Sequence, residues 1–172
     1  MLRRNVENEN PAAIRRLGQY YKDGGLGLVP SQKKAAGLYQ RAADLGDVDA
    51  MIYLGFAYDK GRGVKLDRKK AVKYCRMAAD QGMADAQCSL GFCYNKGDGV
   101  AQDYAEAVRF FKLAADQGYT HAEFSMGITY ENGEGVDRDI AEAIRWYKRA
   151  AAKGLEHAKT ALAHLRDPLP AA

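Results

Sequence analysis

Small and apolar side chains recur along this chain at a spacing typical of one face of an α-helix. Ala50, Leu54 and Tyr58 lie four residues apart, which predicts a first helix, helix A. A glycine pair follows, and a second periodic stretch over residues 71–79 predicts helix B, with Asp67 in the position of an N-cap. The pattern therefore predicts a helical hairpin.

The hairpin pattern recurs every 36 residues. Residue types repeat at Ala50, Ala86, Ala122, Ala158; Gly55, Gly91, Gly127; Tyr58, Tyr94, Tyr130; Gly61, Gly97, Gly133; Asp67, Asp103, Asp139; and Gly82, Gly118, Gly154. We expect an N-terminal segment 1–11, repeats at 12–46, 47–82, 83–118 and 119–154, a capping helix 155–166 and a tail 167–172. Hairpins that cannot bury their apolar faces alone stack, so we predict one all-α domain, a right-handed α-solenoid superhelix of stacked antiparallel helix pairs.

Local signals mark the ends of the predicted helices. Asn10-Pro11 has the order of an N-cap followed by the first helical residue, and Asp103-x-x-Glu106 and Asp139-x-x-Glu142 resemble capping boxes. The glycine inside helix A costs ~1 kcal/mol relative to alanine. We therefore expect the backbone of a neighbouring helix to approach closely at that position.

The repeated motif is A-x(3)-LG-x(2)-Y-x(2)-G-x-GV-x(2)-D-x(3)-A-x(6)-AA-x(2)-G. It resembles the Sel-one-like repeat (SLR), a relative of the tetratricopeptide repeat, and the match covers residues 12–166. The resemblance implies an all-α solenoid that serves as a protein-interaction adaptor. It implies no cofactor and no catalytic residue.

Composition agrees with a globular chain: 172 residues are 47% apolar and 28% charged, with a formal net charge of +4. No apolar run approaches the ~20 residues that a membrane span needs, and residues 1–10 lack the apolar core of a secretory signal. We expect a cytoplasmic monomer that does not bind membranes. The sequence leaves open that the native chain is longer.

Candidate catalytic chemistry is sparse. The Gly-x-Gly pairs follow a helix and lack the third glycine of a dinucleotide-binding loop, which favours turns. The cysteines and histidines are Cys75, Cys88, Cys93, His121, His157 and His164. We interpret the thiols as small hydrophobes and the histidines as surface residues, because no metal-ligand spacing joins them. The sequence thus predicts a non-enzyme with no metal or cofactor.

One segment, residues 60–76, carries most of the excess positive charge. Its basic residues are Lys60, Arg62, Lys65, Arg68, Lys69, Lys70, Lys73 and Arg76, against one acid, Asp67. Tyr74 is its candidate aromatic for stacking on a base, and the third repeat has Asp103 and Glu106 instead. We interpret the segment as a solvated face; an acidic protein partner is the alternative, and nucleic-acid binding is a third hypothesis.

A row of variable positions on helix A is the candidate binding site. Helix A lines the concave surface of a solenoid, whereas Ile52 and Phe56 should pack on the adjoining hairpin. The candidate partner-binding residues are Arg16, Tyr20, Tyr53, Lys60, Ser89, Lys96, His121, Ser125 and Asn132. Arg16, Tyr20 and Tyr53 are the proposed anchors, because tyrosine and arginine are enriched at binding hot spots. Two alternatives stay open: the row is merely exposed, or a groove pocket binds or hydrolyses a small ligand.

Overall fold

A computed structural model describes residue 6 and residues 8–166 of the chain. Nine α-helices lie in this part: α1 Pro11–Asp23, α2 Gln32–Asp44, α3 Val48–Lys60, α4 Arg68–Asp80, α5 Ala84–Lys96, α6 Tyr104–Asp116, α7 Thr120–Asn132, α8 Ile140–Ala152 and α9 Glu156–Arg166. A short 3-10 turn, Gly25–Gly27, follows α1. The described residues form no strand, so the predicted all-α class is confirmed.

The chain divides into two compact units, Met1–Gly82 and Met83–Ala172. In the first unit α1 packs on α2, α2 on α3, and α3 on α4. In the second unit each of the helices from α5 to α9 packs on the next. The predicted helix pairs and the lone last helix are therefore confirmed, whereas the predicted tail 167–172 lies outside the described residues.

The apolar positions of the repeat form the core of each unit. Ala50 and Leu54 are fully buried, and Tyr58 stacks on Tyr74 with ring centroids 5.8 Å apart. Phe56 differs from the prediction, since 57% of it is exposed and it is not packed away.

Side chains and glycines end the helices largely as predicted. Asp67 Oδ1 accepts a hydrogen bond from the backbone N–H of Lys70 at 3.0 Å, and Gly61 ends α3 with φ of 65°. The capping boxes form only by half. Asp103 accepts from the backbone N–H of Glu106, but the Glu106 carboxylate binds the Arg109 guanidinium at 2.9 Å. The backbone N–H of Asp103, which the box would use, donates instead to the Tyr94 carbonyl oxygen at 3.0 Å.

In three of the four repeats an aromatic ring lies against the glycine inside helix A. A Cβ added to Gly91 would lie 2.6 Å from the Phe111 ring and 3.2 Å from the Ala107 carbonyl oxygen. At Gly55, where Cys75 replaces the ring, the nearest atom would be the Ala71 carbonyl oxygen at 3.4 Å. The predicted backbone approach is therefore present, but the closest neighbour is the ring.

The second loop glycine joins consecutive repeats within a unit. Gly63 has φ of +75°, and its Cα faces the backbone of Gln32 and Lys33 so closely that a Cβ would clash. Gly135 makes the same contact with Tyr104 and Ala105 in the second unit. The loop of one repeat thus lies against the beginning of helix B in the preceding repeat.

Candidate functional site

The candidate anchors of the first unit lie on two helices, α1 and α3. Arg16 and Tyr20 are on α1, with the Arg16 Cζ 6.0 Å from the centroid of the Tyr20 ring. Tyr53 is on α3, and its hydroxyl accepts a hydrogen bond of 2.8 Å from Gln19 Nε2 of α1. The Gln19 side chain of the first repeat therefore contacts Tyr53, the third anchor, in the second repeat.

Tyr53 is fixed by packing as well as by hydrogen bonding. Its ring lies 5.1 Å from the Tyr39 ring, and the Lys22 ammonium lies 6.0 Å from its centroid. Burial, with the nearby Tyr53 and Asp23, raises the pKa of Tyr39 to about 12. Tyr53 itself remains half-exposed, so it presents a positioned ring to solvent.

The cations beside these rings differ in whether an acid neutralises them. Arg15 binds Asp47 at 2.9 Å and Asp49 at 3.1 Å, and the ion pairs outweigh its burial and raise its pKa. Lys60 Nζ lies 2.8 Å from a carboxylate oxygen of its neighbour, Asp59. Arg16 is exposed and has no carboxylate partner among the described residues.

The candidate residues of the second unit lie on α5 and α7. Ser89, Lys96, His121 and Asn132 are exposed. Ser125 is 3% exposed, and its hydroxyl donates to the His121 carbonyl oxygen at 2.9 Å. The expectation that Ser125 faces outward is wrong, because a serine that bonds its own helix backbone can be buried at low cost.

Two of the exposed residues have neighbours that restrict them. Asn132 Nδ2 donates to Glu134 Oε1 at 3.3 Å, and Asn95 Nδ2 donates to Glu134 Oε2 at the same distance. The His121 ring lies 5.9 Å from the Tyr119 ring. Lys96 has no ion-pair partner in the described part of the chain. In the described part of the second unit, the candidate residues thus offer a polar surface that includes the exposed Lys96.

A buried carboxylate, Glu123, was not anticipated. It is fully buried and lies 2.9 Å from both the Arg149 and the Lys153 nitrogens, and Arg149 also covers the Trp146 ring. The sequence contains one indication of it: the equivalent position in the second repeat is apolar, Met51. An acid at an apolar position needs a counter-charge. Both cations lie at ion-pair distance from the carboxylate, although its Oε2 makes no hydrogen bond, and the ion pairs hold α7 to α8.

The thiols and histidines are dispersed. Cys88 is buried, and this burial, with the charge of Asp85, raises the pKa of its thiol to about 12, as expected of a small hydrophobe. All three cysteines are free thiols, and Cys75 and Cys93 are half-buried. The His157 ring lies 6.2 Å from the Phe124 ring. In the described ranges no three His, Cys, Asp or Glu side chains are grouped so that they could hold a metal ion.

The helices are short and polar compared with a membrane span. No helix among residues 8–166 has both the length and the apolar character that crossing a bilayer requires.

Solved structures similar to this chain carry the same repeat. A Sel1 repeat protein from Oxalobacter formigenes is 35% identical with a TM-score of 0.86; the alignment covers 91% of this chain and 64% of that protein. The antigen c5321 of uropathogenic Escherichia coli, which displays an SLR fold, is 36% identical with a TM-score of 0.92, covering 95% and 35%. This chain therefore spans less than two thirds of either protein.

A more distant structure agrees in fold. Helicobacter pylori cysteine rich protein B is 21% identical with a TM-score of 0.60, over 76% of this chain and 94% of that protein. No curated protein matches the sequence. The Sel1 repeat model matches four consecutive segments, residues 11–47, 48–83, 84–119 and 120–155. The chain belongs to the Sel1 repeat family.

Proposed function

We propose that this chain is a scaffold that binds a peptide or a partner protein on the helix-A surface of its first unit. The helix-A surface is defined by Arg16, Tyr20, Tyr53 and Lys60. Sel1 repeat proteins are generally protein-interaction scaffolds, and their fold is typically non-enzymatic. The observation that carries the proposal is Tyr53, which is held by Gln19 and Tyr39 and yet remains half-exposed.

A ring held in this way suits recognition. Tyrosine and arginine are enriched among residues that contribute most binding energy, because they bury large areas and make polar bonds at the edge. A fixed ring also loses little conformational freedom when a partner binds. Arg16, exposed and without a carboxylate partner among the described residues, adds a charge that a partner carboxylate can neutralise.

The exposed residues of the second unit extend the proposal. Ser89, Lys96, His121 and Asn132 have the repeat positions of the first-unit row, on α5 and α7. We propose them as additional contacts of a partner; Ser125 is not among them, because it is buried.

Capture of partners from a host lysate tests the proposal. The immobilised chain is compared with the double variant Tyr20→Ala/Tyr53→Ala and with the control Tyr104→Ala, which removes a tyrosine that is 38% exposed on α6. We expect the double variant to retain about tenfold less of the specific partner. Equal retention by all three proteins, with unchanged thermal unfolding, would exclude the helix-A surface as the binding site.

A further inference from the structure

We infer that the first unit carries a second interaction surface, which binds an acidic segment of a partner protein. The basic surface is defined by Lys33, Lys34, Arg62, Lys65, Lys69 and Lys70, all of which are exposed. It lies at the loops and the beginnings of the B helices. The proposal does not depend on the helix-A surface being a binding site.

The fold joins two parts of the sequence in this surface. Gly63 lies directly against the backbone of Gln32 and Lys33, which brings the loop with Arg62 and Lys65 onto the start of α2. The basic segment that is visible in the sequence, residues 60–76, contains the loop and part of α4 but no residue of α2. The contact at Gly63 therefore enlarges the cationic patch across two repeats.

The lysines of the two helices have equivalent places. Lys33 and Lys34 are the second and third residues of α2, and Lys69 and Lys70 are the second and third residues of α4. Stacked repeats place equivalent positions side by side. The four lysines therefore lie in the first turn of their two helices.

The described part of the chain leaves most of these cations without an acidic partner. Among the described residues, no carboxylate pairs with Lys33, Arg62, Lys65 or Lys69. Asp67 is the acid nearest in sequence to Lys65 and Lys69. It caps α4 by accepting from the backbone N–H of Lys70, with 4.0 Å between its other oxygen and the Lys70 Nζ. Asp59, the acid nearest to Arg62, binds Lys60. Like charges at close range repel, and an anionic partner would relieve that repulsion.

The position of the lysines also works against helix stability. The N-terminus of a helix carries a partial positive charge, so acidic residues stabilise the first turn and lysines disfavour it. The equivalent residues in the second unit follow the rule, with Glu106 in α6 and Glu142 in α8. The first turns of α2 and α4 contain no acid. A partner carboxylate would be attracted both by the lysines and by these helix ends.

The nearby aromatic rings favour an acidic protein segment over a nucleic acid. The Tyr58 ring stacks on Tyr74 and lies 5.2 Å from the Lys70 ammonium. The Tyr21 ring lies 5.0 Å from the Lys34 ammonium. Single-stranded nucleic acids are held by free ring faces on which bases stack, and Tyr74, Lys70 and Lys34 already cover faces of these rings. Carboxylates need only the charges.

Binding of a labelled peptide of alternating glutamate and serine, followed by fluorescence anisotropy at low salt, tests the inference. The variant Lys33→Ala/Lys65→Ala/Lys69→Ala is compared with Lys112→Ala/Lys148→Ala/Lys159→Ala, which removes the same charge from exposed positions of the second unit. We expect the first variant to bind about tenfold more weakly and the second to bind like the unchanged chain. Equal weakening by both variants, or no binding by the unchanged chain, would overturn the inference.

A second variant separates binding from folding. Lys34→Glu/Lys70→Glu copies the acids of α6 and α8, so we expect a higher melting temperature together with loss of peptide binding. Retained binding would overturn the inference. If the chain binds single-stranded DNA more tightly than a peptide of equal charge, the inference is overturned and the surface binds nucleic acid. Binding by Tyr20→Ala/Tyr53→Ala should be unchanged, which distinguishes this surface from the helix-A surface.

Discussion

The Phe111 ring lies on the backbone of Gly91, at a distance where a Cβ on the glycine would be only 2.6 Å from the ring. Tyr39 has the same relationship to Gly18, at 2.7 Å. In the second repeat the partner is Cys75, and a Cβ on Gly55 would meet only ordinary contacts. The glycines of helix A are thus alike in sequence but different in what they exclude.

This difference predicts opposite effects of one substitution. Gly91→Ala should lower the free energy of unfolding by about 1 to 3 kcal/mol, because the ring must move in a packed core. Gly55→Ala should be neutral or stabilising by up to ~1 kcal/mol, since alanine is the better helix former. Urea unfolding of the two variants measures both changes in the free energy of unfolding. Equal losses would show that the ring is not the reason for the glycine.

Two effects of replacing Gly63 by alanine can be measured separately: the strain of a positive φ and the clash with the neighbouring backbone. Gly63 and Gly27 have φ values of +75° and +70°, so alanine at either costs about 1 to 2 kcal/mol in the left-handed region. A Cβ on Gly27 would meet nothing within 4 Å, whereas on Gly63 it would strike the backbone at Gln32. Gly63→Ala should therefore lower the melting temperature clearly more than Gly27→Ala. Similar melting temperatures would contradict the contact.

Two tyrosines at equivalent positions should respond differently to loss of the hydroxyl. Tyr147 donates to Glu131 Oε2 at 2.6 Å, and Tyr147→Phe should cost about 1.5 to 3 kcal/mol because the acceptor is charged. The buried Tyr39 hydroxyl has no hydrogen-bond partner among the described residues. Tyr39→Phe should therefore be neutral or stabilising. Chemical denaturation of both variants measures the difference; a clear loss in Tyr39→Phe would contradict it.

Tyr39 also predicts a dependence of stability on alkaline pH. Burial raises its pKa from 10.0 to about 12 in the folded chain. A raised folded-state pKa gives stability that is present below pH 10.0 and is lost as the pH rises towards about 12. The same sign holds for the buried Cys88 thiol, raised from 9.0 to about 12. Tyr39→Phe should reduce the alkaline loss, as measured by unfolding midpoints across this range. An unchanged profile would contradict the assignment.

The ion group around Glu123 predicts an asymmetry. Arg149 and Lys153 side chains are 48% and 40% exposed, so Glu123→Met, which copies Met51, leaves cations that water can solvate. Arg149→Ala/Lys153→Ala leaves a buried carboxylate without a counter-charge, at a cost of about 3 to 5 kcal/mol. In thermal unfolding, Glu123→Met should have a clearly higher melting temperature than the double variant. The reverse order would contradict this account.

Much of the fold follows from positions whose neighbours are local. Helix spacing, the Asp67 cap and the turn at Gly61 depend on a few consecutive residues, and each agrees with the structure. Side chains that depend on other helices were not predictable. Ser125 has a polar side chain and is nevertheless buried, because its own helix satisfies the hydroxyl. The ring over Gly91 comes from the next helix, at a position that the helix-A pattern does not contain.

The candidate site shows the same division. Periodicity places Tyr20 and Tyr53 on successive A helices, but not the bond from Gln19 that holds Tyr53. The cationic stretch is visible in composition. The basic surface also includes Lys33 because the backbone at Gly63 lies against it. The distribution of charges along the sequence does not predict that contact.

Site-specific photo-crosslinking tests whether a partner protein binds at the helix-A surface. Tyr20 is replaced by p-benzoylphenylalanine, and Tyr104 is replaced in a matched control. After irradiation in a host lysate, we predict one crosslinked protein at position 20, none at position 104, and competition by excess unchanged chain but not by Tyr20→Ala/Tyr53→Ala. The same crosslinks at both positions, or none at position 20, would contradict the account.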